Sequence, residues 1–352
     1  MESDISIRAR VDSALETFVA SRSREIRAQS SDLGSLANSA EAFLRFGGKR
    51  LRPLFSYWGY RAAGGEDDDA VIVASASLEL IQACALAHDD VIDESDLRRG
   101  RPAIHREWQR LHERSQWTGD PHRFGVAVAV LIGDLFLSWS DDMLVTSGLS
   151  DSSLRRAYPI WHQMRAEVVA GQFLDVVEQA QARSSIERSL LIAELKSGRY
   201  SVQQPLRMGA AIAAANDACA AALDAFGLDV GVAFQLRDDL LGVFGDPAVT
   251  GKPAGDDLRQ GKRTVLVAAG LESASVRQRA QLEAALGNAA LGIDEVVAVQ
   301  QILRSSGAEK LVESMISDRA ERAIGRLEST SLLPAGRDAL RRLATAALDR
   351  SA

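Results

Sequence analysis

Two short acidic segments carry the residues whose types and spacing are most suited to chemistry. The first, HDDVIDESDLRRGRP at residues 88–102, places Asp89, Asp90 and Asp93 directly before a group of arginines. At about 100° per residue, a helix continuing through this segment would hold Asp89 and Asp93 about 40° apart on one face. Carboxylates at this spacing repel each other by roughly 0.2–0.5 kcal/mol unless a cation lies between them. The segment therefore predicts a Mg²⁺ site beside arginines that can bind phosphate.

A second acidic pair occurs far along the chain. Asp238 and Asp239 lie in QLRDDLLG, at residues 235–242, after another apolar run. The two segments belong to different helices, so only the fold could bring them together. Either segment by itself could be a solvated helix end, since acidic surface clusters are common. Two acidic segments facing one cavity would hold several divalent ions around a diphosphate.

Basic residues cluster beside glycines elsewhere in the chain. In GGKRLRP, Lys49 and Arg52 lie next to backbone whose amide groups can approach an anion. A turn-rich segment at residues 245–264, GDPAVTGKPAGDDLRQGKRT, adds Lys252 and Lys262. Although GGKRLRP alone could be a basic helix cap, these groupings together predict a site for an anionic small molecule.

Polar residues also interrupt two apolar helical segments. Gln172 and Asp175 of GQFLD are three positions apart and therefore neighbours on a helix. Such a pair often belongs to a packing network. Lys196 and Ser197 begin KSGRYS, where Gly198 weakens the helix.

The elements that must position these residues are predicted to be helices. No alternating strand pattern occurs, and apolar residues recur at helical spacing, as in residues 5–29. A hydrophobic content of 46% with 25% charged residues is typical of a soluble protein with a large core. We expect one all-α domain over residues 1–352, a bundle of about a dozen helices around a deep cavity. Its ends are an N-terminal packing helix within 1–30 and C-terminal helices within 264–352.

Composition limits the class of partner that the protein can bind and the cellular compartment in which we expect it. The formal net charge of −7 argues against a general nucleic-acid binder. Cys84 and Cys219 lie in alanine-rich apolar stretches, as expected of core residues in a reduced compartment. The N-terminus lacks an apolar signal core and polar residues interrupt the longest apolar runs, so we expect no transmembrane segment and a cytoplasmic location.

The motifs and their order resemble those of the trans-type isoprenyl diphosphate synthases, also called polyprenyl synthetases. The resemblance extends over most of the chain, from residue 47 to residue 264. It implies a homodimeric, Mg²⁺-dependent prenyltransferase with about three ions per active site. The implied reaction joins isopentenyl diphosphate to dimethylallyl, geranyl or farnesyl diphosphate and yields a longer all-trans prenyl diphosphate.

The resemblance also implies roles for individual residues. The expected metal ligands are Asp89, Asp93 and Asp238, supported by Asp90 and Asp239. The residues expected to bind the allylic diphosphate are Arg98, Lys196 and Lys252. Those expected to bind isopentenyl diphosphate are Lys49, Arg52, Gln82 and Arg99.

Further residues are expected to line the reaction region. Gln172 and Asp175 would face the allylic pocket, and Lys262 would contribute to substrate binding. The resemblance implies a helix break at Lys196 that brings this lysine and Ser197 towards the reacting carbon. Their dipoles, with that of Gln235, would stabilise the developing allylic cation.

Product length is expected to depend on the depth of the pocket beneath the first acidic segment. Cys84 and Ala85 are small where farnesyl-making relatives carry bulky aromatic residues. Leu78 and Ile81, further up the same helix, could form the floor of the pocket. Together with the absence of an insertion in DDVID, this favours geranylgeranyl diphosphate, with a longer polyprenyl product as the alternative.

One position departs from the family pattern. Gly242 stands where the second acidic motif usually ends in aspartate, and we expect the change to be tolerated because Asp238 can still reach a metal ion. A class I terpene cyclase would carry an Asn/Ser/Glu metal triad and would not need GGKRLRP. A non-catalytic regulatory subunit would have lost an acidic motif.

Overall fold

Helices form nearly all of the regular structure. The computed structural model describes residues 3–45, 48–246 and 254–348. Within these ranges the strands are Leu97–Arg98 (β1) and Arg101–Pro102 (β2), which pair antiparallel in one short hairpin. The expectation of an all-α fold is therefore confirmed.

The first of two compact units comprises residues 1–57 and 66–154. Its helices are Asp4–Gln29 (α1), Gly34–Arg45 (α2), the first part of Leu51–Ala62 (α3), Asp69–Ile92 (α4), Ile104–Arg114 (α5) and Pro121–Val145 (α6), with a 3₁₀ turn at Ser31–Leu33. Polar caps begin several of them, as where the Asp68 side chain accepts a hydrogen bond from the Ala70 N–H at the start of α4. Helix α4 packs on α1 and α6, so it is the central helix of this unit.

The second unit comprises residues 58–65 and 155–352. Its helices are Asp151–Gln181 (α7, apart from its first turn), Ile186–Ile192 (α8), Gln204–Ile212 (α9), Asp217–Phe244 (α10), Asp256–Arg259 (α11), Val265–Ser273 (α12), Val276–Ala285 (α13), Ile293–Ser305 (α14), Ala308–Ser329 (α15) and Pro334–Leu348 (α16). A π-helical segment, Ala193–Gln203, joins α8 to α9. Helix α10 packs on this segment and on α15, and is central to the second unit. The prediction of a single domain stays a prediction.

Three helices, α4, α6 and α10, are long and apolar enough to cross a membrane by length and composition alone. The polar residues that interrupt these apolar runs therefore do not by themselves exclude a membrane-spanning segment. The structure buries 72%, 39% and 56% of their most apolar windows inside the protein. In α4 and α10 these residues mainly form the two cores, whereas α6 also exposes apolar side chains, among them Leu131 at 63%.

Candidate active site

Helix α4 ends inside the first acidic segment. Its last helical residue is Ile92, and Asp93 is the C-cap, with φ −86° and ψ 1°. The helix thus ends together with the cluster, with Asp89 and Asp90 in its last turn and Asp93 as its cap. The Asp93 N–H still donates a 2.8 Å hydrogen bond to the Asp89 carbonyl, so the two residues lie one turn apart.

Asp90 is the buried carboxylate of this segment, at 1% exposure. Its Oδ1 accepts a 2.9 Å hydrogen bond from Arg98 Nε and also contacts Arg98 Nη2, which lies 3.9 Å from Asp89 Oδ2. Burial raises the pKa of Asp90, and the guanidinium of Arg98 partly offsets that rise. Arg98, predicted to bind the allylic diphosphate, is thus already held by the acidic segment.

The β1–β2 hairpin explains how Arg98 reaches Asp90. Its two-residue turn consists of Arg99, at φ 53°, and Gly100, at φ 74°. Positive φ at both turn residues is typical of the turn that matches the twist of a tight hairpin. The chain reverses directly after Arg98, which keeps this side chain beside the end of α4.

In GGKRLRP the buried basic residue is Arg50, which was not among the predicted site residues. Its Nε donates a 2.7 Å hydrogen bond to Asp12 Oδ1, and its Nη1 donates a 2.7 Å hydrogen bond to Glu79 Oε2. Lys49 and Arg52, the predicted ligands of isopentenyl diphosphate, lie on either side of it in the chain. A signal for Glu79 was present in the sequence, since it is the lone acidic residue in the apolar stretch 71–88.

The predicted chain-length residues lie on α4. Leu78, Ile81 and Cys84 are buried and Ala85 is half-buried, as is Gln82, the polar residue predicted to assist isopentenyl diphosphate binding. Burial raises the pKa of the Cys84 thiol to about 11. Cys84 is therefore protonated and unreactive at neutral pH, as a packing residue should be.

In the second unit, the structure brings together two of the predicted segments. Lys196 Nζ donates a 2.7 Å hydrogen bond to Asp175 Oδ2, which joins KSGRYS to GQFLD. A Cβ on Gly171 would lie 2.4 Å from the Lys196 backbone nitrogen, so only glycine permits this close approach. The side-chain nitrogen of Gln172 is buried and has no hydrogen-bond partner among the described residues, so a donor is available there for a ligand.

At Lys196, where a helix break was expected, the α-helix gives way to a π-helical segment. The backbone continues from Ala193 to Gln203 as a π-helix, whose turns are wider than those of an α-helix and often occur at functional sites. Gly198, expected to weaken the helix, instead lets α10 approach closely. A Cβ on Gly231 would lie 2.2 Å from the Gly198 carbonyl oxygen.

The second acidic pair lies near the end of α10. The half-buried Gln235 donates a 2.7 Å hydrogen bond from Nε2 to Asp239 Oδ1. Burial, together with the negative charges of Asp257 and Asp238, raises the pKa of Asp239 to about 8. A nearby divalent cation would favour ionisation of this carboxylate.

The space beside Gly242 is taken by a carboxylate from another element. A Cβ on Gly242 would lie 1.8 Å from Oδ2 of Asp257, which belongs to α11. Lys262 Nζ lies 3.8 Å from Oδ1 of Asp257. The sequence could not reveal that Asp257 fills the place where an aspartate side chain at position 242 would begin.

We therefore expect that Gly242→Asp, which restores the usual motif, impairs this protein. The new side chain must displace the Asp257 carboxylate and adds charge near Asp239; the overpacking costs about 1 kcal/mol, the lower end of its range, because the Asp257 side chain can rotate away. Turnover and the thermal unfolding midpoint should both fall. Gly242→Asp combined with Asp257→Gly exchanges the two carboxylates and should recover most of both losses. A single variant as active and stable as the parent would contradict this prediction.

The carboxylates at the candidate site suit a metal ion that the protein and the substrate bind together. Across residues 3–45, 48–246 and 254–348, no three or more His, Cys, Asp or Glu side chains are grouped to hold a metal ion unaided. Mg²⁺ usually takes only one or two carboxylates and completes its shell with waters and substrate phosphate oxygens. Asp90 Oδ2, buried and without a hydrogen-bond partner among these residues, fits a neighbouring cation. The predicted phosphate ligand Lys252 lies outside the described residues.

Comparison with known proteins adds independent evidence. The chain is 32% identical over 281 residues to a geranylgeranyl diphosphate synthase of Mycobacterium tuberculosis, covering 80% of this chain and 75% of that protein. It is 32% identical over 292 residues to a geranylfarnesyl diphosphate synthase of Aeropyrum pernix, covering 82% and 85%. A crystal structure of geranylgeranyl pyrophosphate synthase from Corynebacterium glutamicum, complexed with isoprenyl diphosphate and magnesium, superimposes with a TM-score of 0.95 at 40% identity and covers both chains completely.

The family model described as Polyprenyl synthetase matches residues 34–303. The matched region contains every predicted substrate and metal residue, from Lys49 to Lys262. The prediction of a prenyl-transferring enzyme is confirmed, which disfavours the alternative of a non-catalytic subunit. The chain belongs to the polyprenyl synthetase family.

Proposed function

We propose that the enzyme makes geranylgeranyl diphosphate from isopentenyl diphosphate and dimethylallyl, geranyl or farnesyl diphosphate. The observation that supports this product best is the full-length similarity to the Corynebacterium glutamicum geranylgeranyl pyrophosphate synthase. The small residues before the first acidic segment support it too, because they leave room for a growing chain. A longer polyprenyl product is the alternative, favoured by the similarity to a geranylfarnesyl synthase.

Magnesium is the proposed cofactor, with about three ions per site. When bound, it would neutralise the negative charge that develops on the departing diphosphate. The proposed ligands are Asp89, Asp93 and Asp238, supported by Asp90 and Asp239. That both acidic segments act on the same diphosphate stays a prediction.

The chain's own cations and dipoles are proposed to orient the two substrates. Isopentenyl diphosphate is assigned to Lys49, Arg52, Gln82 and Arg99, and the allylic diphosphate to Arg98, Lys196 and Lys252, with Lys262, Gln172 and Asp175 nearby. The allylic C–O bond breaks and its electron pair leaves with the diphosphate, while the isopentenyl double bond forms the new C–C bond. The cation that this leaves on the isopentenyl unit loses a proton from the adjacent carbon, so that a new double bond forms, and the departing diphosphate accepts the proton. Lys196, Ser197 and Gln235 orient dipoles towards the transient positive charge.

Product analysis tests this proposal directly. Purified protein is incubated with isopentenyl diphosphate, each allylic primer in turn, and Mg²⁺, and the hydrolysed products are separated by chain length. We expect geranylgeraniol as the main alcohol and none in the presence of a chelator. Predominantly longer alcohols would favour the alternative product, and no elongation with any primer would overturn the proposal.

Ala85→Phe should shorten the product. Ala85 is half-buried on α4, one helical turn before Asp89, where a phenyl ring would take up room needed by the last isoprene unit. Excluding or admitting a few methylenes changes the free energy by which a pocket discriminates between chains by about 1–3 kcal/mol. The ratio of farnesyl to geranylgeranyl product should therefore rise at least about tenfold. Ala85→Ser, which is nearly as small as alanine, is the matched control and should leave the ratio unchanged. An unaltered ratio in Ala85→Phe would exclude this position from length control.

A homodimer in the cytoplasm is proposed from the family resemblance. Leu131 and Val130 of α6, exposed at 63% and 40%, support an interface, since exposed apolar side chains on one helix often mark a contact between subunits. Sedimentation equilibrium should give twice the chain mass of 37.9 kDa. A mass of 37.9 kDa at micromolar concentration would contradict the dimer.

A further inference from the structure

Glu79 is a buried acidic residue that no predicted role includes. It lies on α4 between Leu78 and Leu80 and is 5% exposed. A buried carboxylate is costly unless a cation and further hydrogen bonds compensate for the lost hydration. Glu79 Oε2 accepts a 2.7 Å hydrogen bond from Arg50 Nη1, and Arg50 is itself only 7% exposed. The two residues form a buried ion pair in the first unit.

This ion pair holds a strained turn in GGKRLRP. Arg50 has φ 52°, in the left-handed region that residues other than glycine seldom adopt. Such a conformation persists only where the surrounding structure determines it. Besides Glu79, the Arg50 side chain donates hydrogen bonds to Asp12 Oδ1 at 2.7 Å and to the Leu44 carbonyl at 3.3 Å. The guanidinium thus fixes the backbone between Lys49 and Arg52.

The turn lies against a second segment predicted to bind the same substrate. A Cβ on Gly48 would lie 3.0 Å from Arg99 Nη2, which places the start of the turn beside the Arg99 guanidinium. The charges that act on Arg99 include the negative charge of Glu79 and the positive charges of Arg50, Arg98 and Arg52. Glu79 is the anion in this set, so it offsets repulsion among arginines that would otherwise move apart.

We propose that Glu79, acting through Arg50, is a positioning residue for the diphosphate of isopentenyl diphosphate. The proposal rests on the assignment of Lys49, Arg52 and Arg99 to that substrate. Glu79 touches neither substrate nor reacting atoms. It holds the turn and the arginine cluster in place before the diphosphate arrives, so less reorganisation accompanies binding.

Steady-state kinetics with each substrate varied separately test this role. Glu79→Gln keeps the shape and removes the charge, and we expect the KM for isopentenyl diphosphate to rise about tenfold, a loss of about 1.4 kcal/mol. The KM for the allylic diphosphate and kcat at saturation should stay within about twofold. Titration calorimetry with isopentenyl diphosphate alone should show the same weakening. Glu41→Gln, which breaks the ion pair of Glu41 with Arg27, is the matched control and should change neither constant.

Two further variants cover the case that Glu79→Gln does not fold. Glu79→Gln with Arg50→Gln leaves no unpaired buried charge and should fold, yet still show the raised KM for isopentenyl diphosphate. Asp12→Asn removes the charge of the half-exposed partner of Arg50 and should raise that KM about twofold to threefold. An unchanged KM in these variants, or equal losses in both KM values and kcat, would overturn the positioning role. If the wild-type enzyme itself elongates no primer, the proposed function fails instead, and the calorimetric comparison of Glu79→Gln with the parent still tests the positioning role.

Discussion

Asp89→Asn is expected to lower kcat at least about a hundredfold, because removing one preorganised group that stabilises developing charge costs about 2.7–4 kcal/mol of barrier. The fold should survive the change. Arg98 makes its hydrogen bonds to Asp90, and its distance to Asp89 Oδ2 is 3.9 Å, so the hairpin keeps its main attachment to α4. The measurement is steady-state elongation of farnesyl diphosphate at saturating substrates.

Two comparisons separate catalysis from stability in that variant. Pyrophosphate with Mg²⁺ should raise the unfolding midpoint of the parent and have a much smaller effect on Asp89→Asn, since ligand that binds only the folded state stabilises it. Asp141→Asn, on α6 and outside the predicted site, should match the parent in both assays. An Asp89→Asn enzyme that elongates chains at the parent rate would remove the basis for a metal site in the first acidic segment.

Gly231→Ala is expected to destabilise the second unit by about 3 kcal/mol, the upper range for overpacking. Its Cβ would lie 2.2 Å from the oxygen and 2.7 Å from the carbon of the Gly198 carbonyl. A backbone group cannot rotate away as a side chain can, so α10 and the π-helical segment must separate. The midpoint of thermal unfolding should fall by about 6–12 °C.

The activity of Gly231→Ala should fall together with its stability, because α10 and the π-helical segment both carry predicted catalytic residues. Lys196 and Ser197 are on the π-helical segment, and Gln235 and Asp238 are on α10. The matched control is Gly325→Ala in α15, where nothing lies within 4 Å of the added Cβ and alanine should stabilise the helix by about 0.5–1 kcal/mol. Equal stability of the Gly231 variant and the parent would show that the two backbones are not in close contact.

Local patterns predicted the helices well, because helical periodicity reports which face of a segment is buried. The sequence singled out Asp175 and Lys196 as site residues in separate segments but did not predict their contact, which the structure shows at 2.7 Å between the two side chains. The end of α4 at Ile92 was not predictable from periodicity, because the following hairpin rather than the apolar pattern determines where the helix stops.

Contacts between distant parts of the chain account for the remaining differences between the sequence predictions and the structure. Asp257 next to Gly242, and Arg50 bonded to Glu79, depend on packing between elements that no sequence spacing reports. The π-helical geometry of Ala193–Gln203 likewise accompanies close packing at Gly198. From helix propensity alone, Gly198 was expected only to weaken the helix. A lone glutamate in an apolar helix was the one visible sign of such a contact.

In the β1–β2 hairpin, the number of residues matters more than their types for keeping Arg98 beside Asp90. Arg98 faces Asp90 because a two-residue turn reverses the chain, and the Ala103 N–H donates a 3.0 Å hydrogen bond to the Asp96 carbonyl, which closes the loop. Inserting or deleting one residue between positions 96 and 103 would shift the strand register and turn Arg98 to the opposite face. Substitutions at Leu97 or Arg101 should therefore be tolerated in evolution far more readily than gaps.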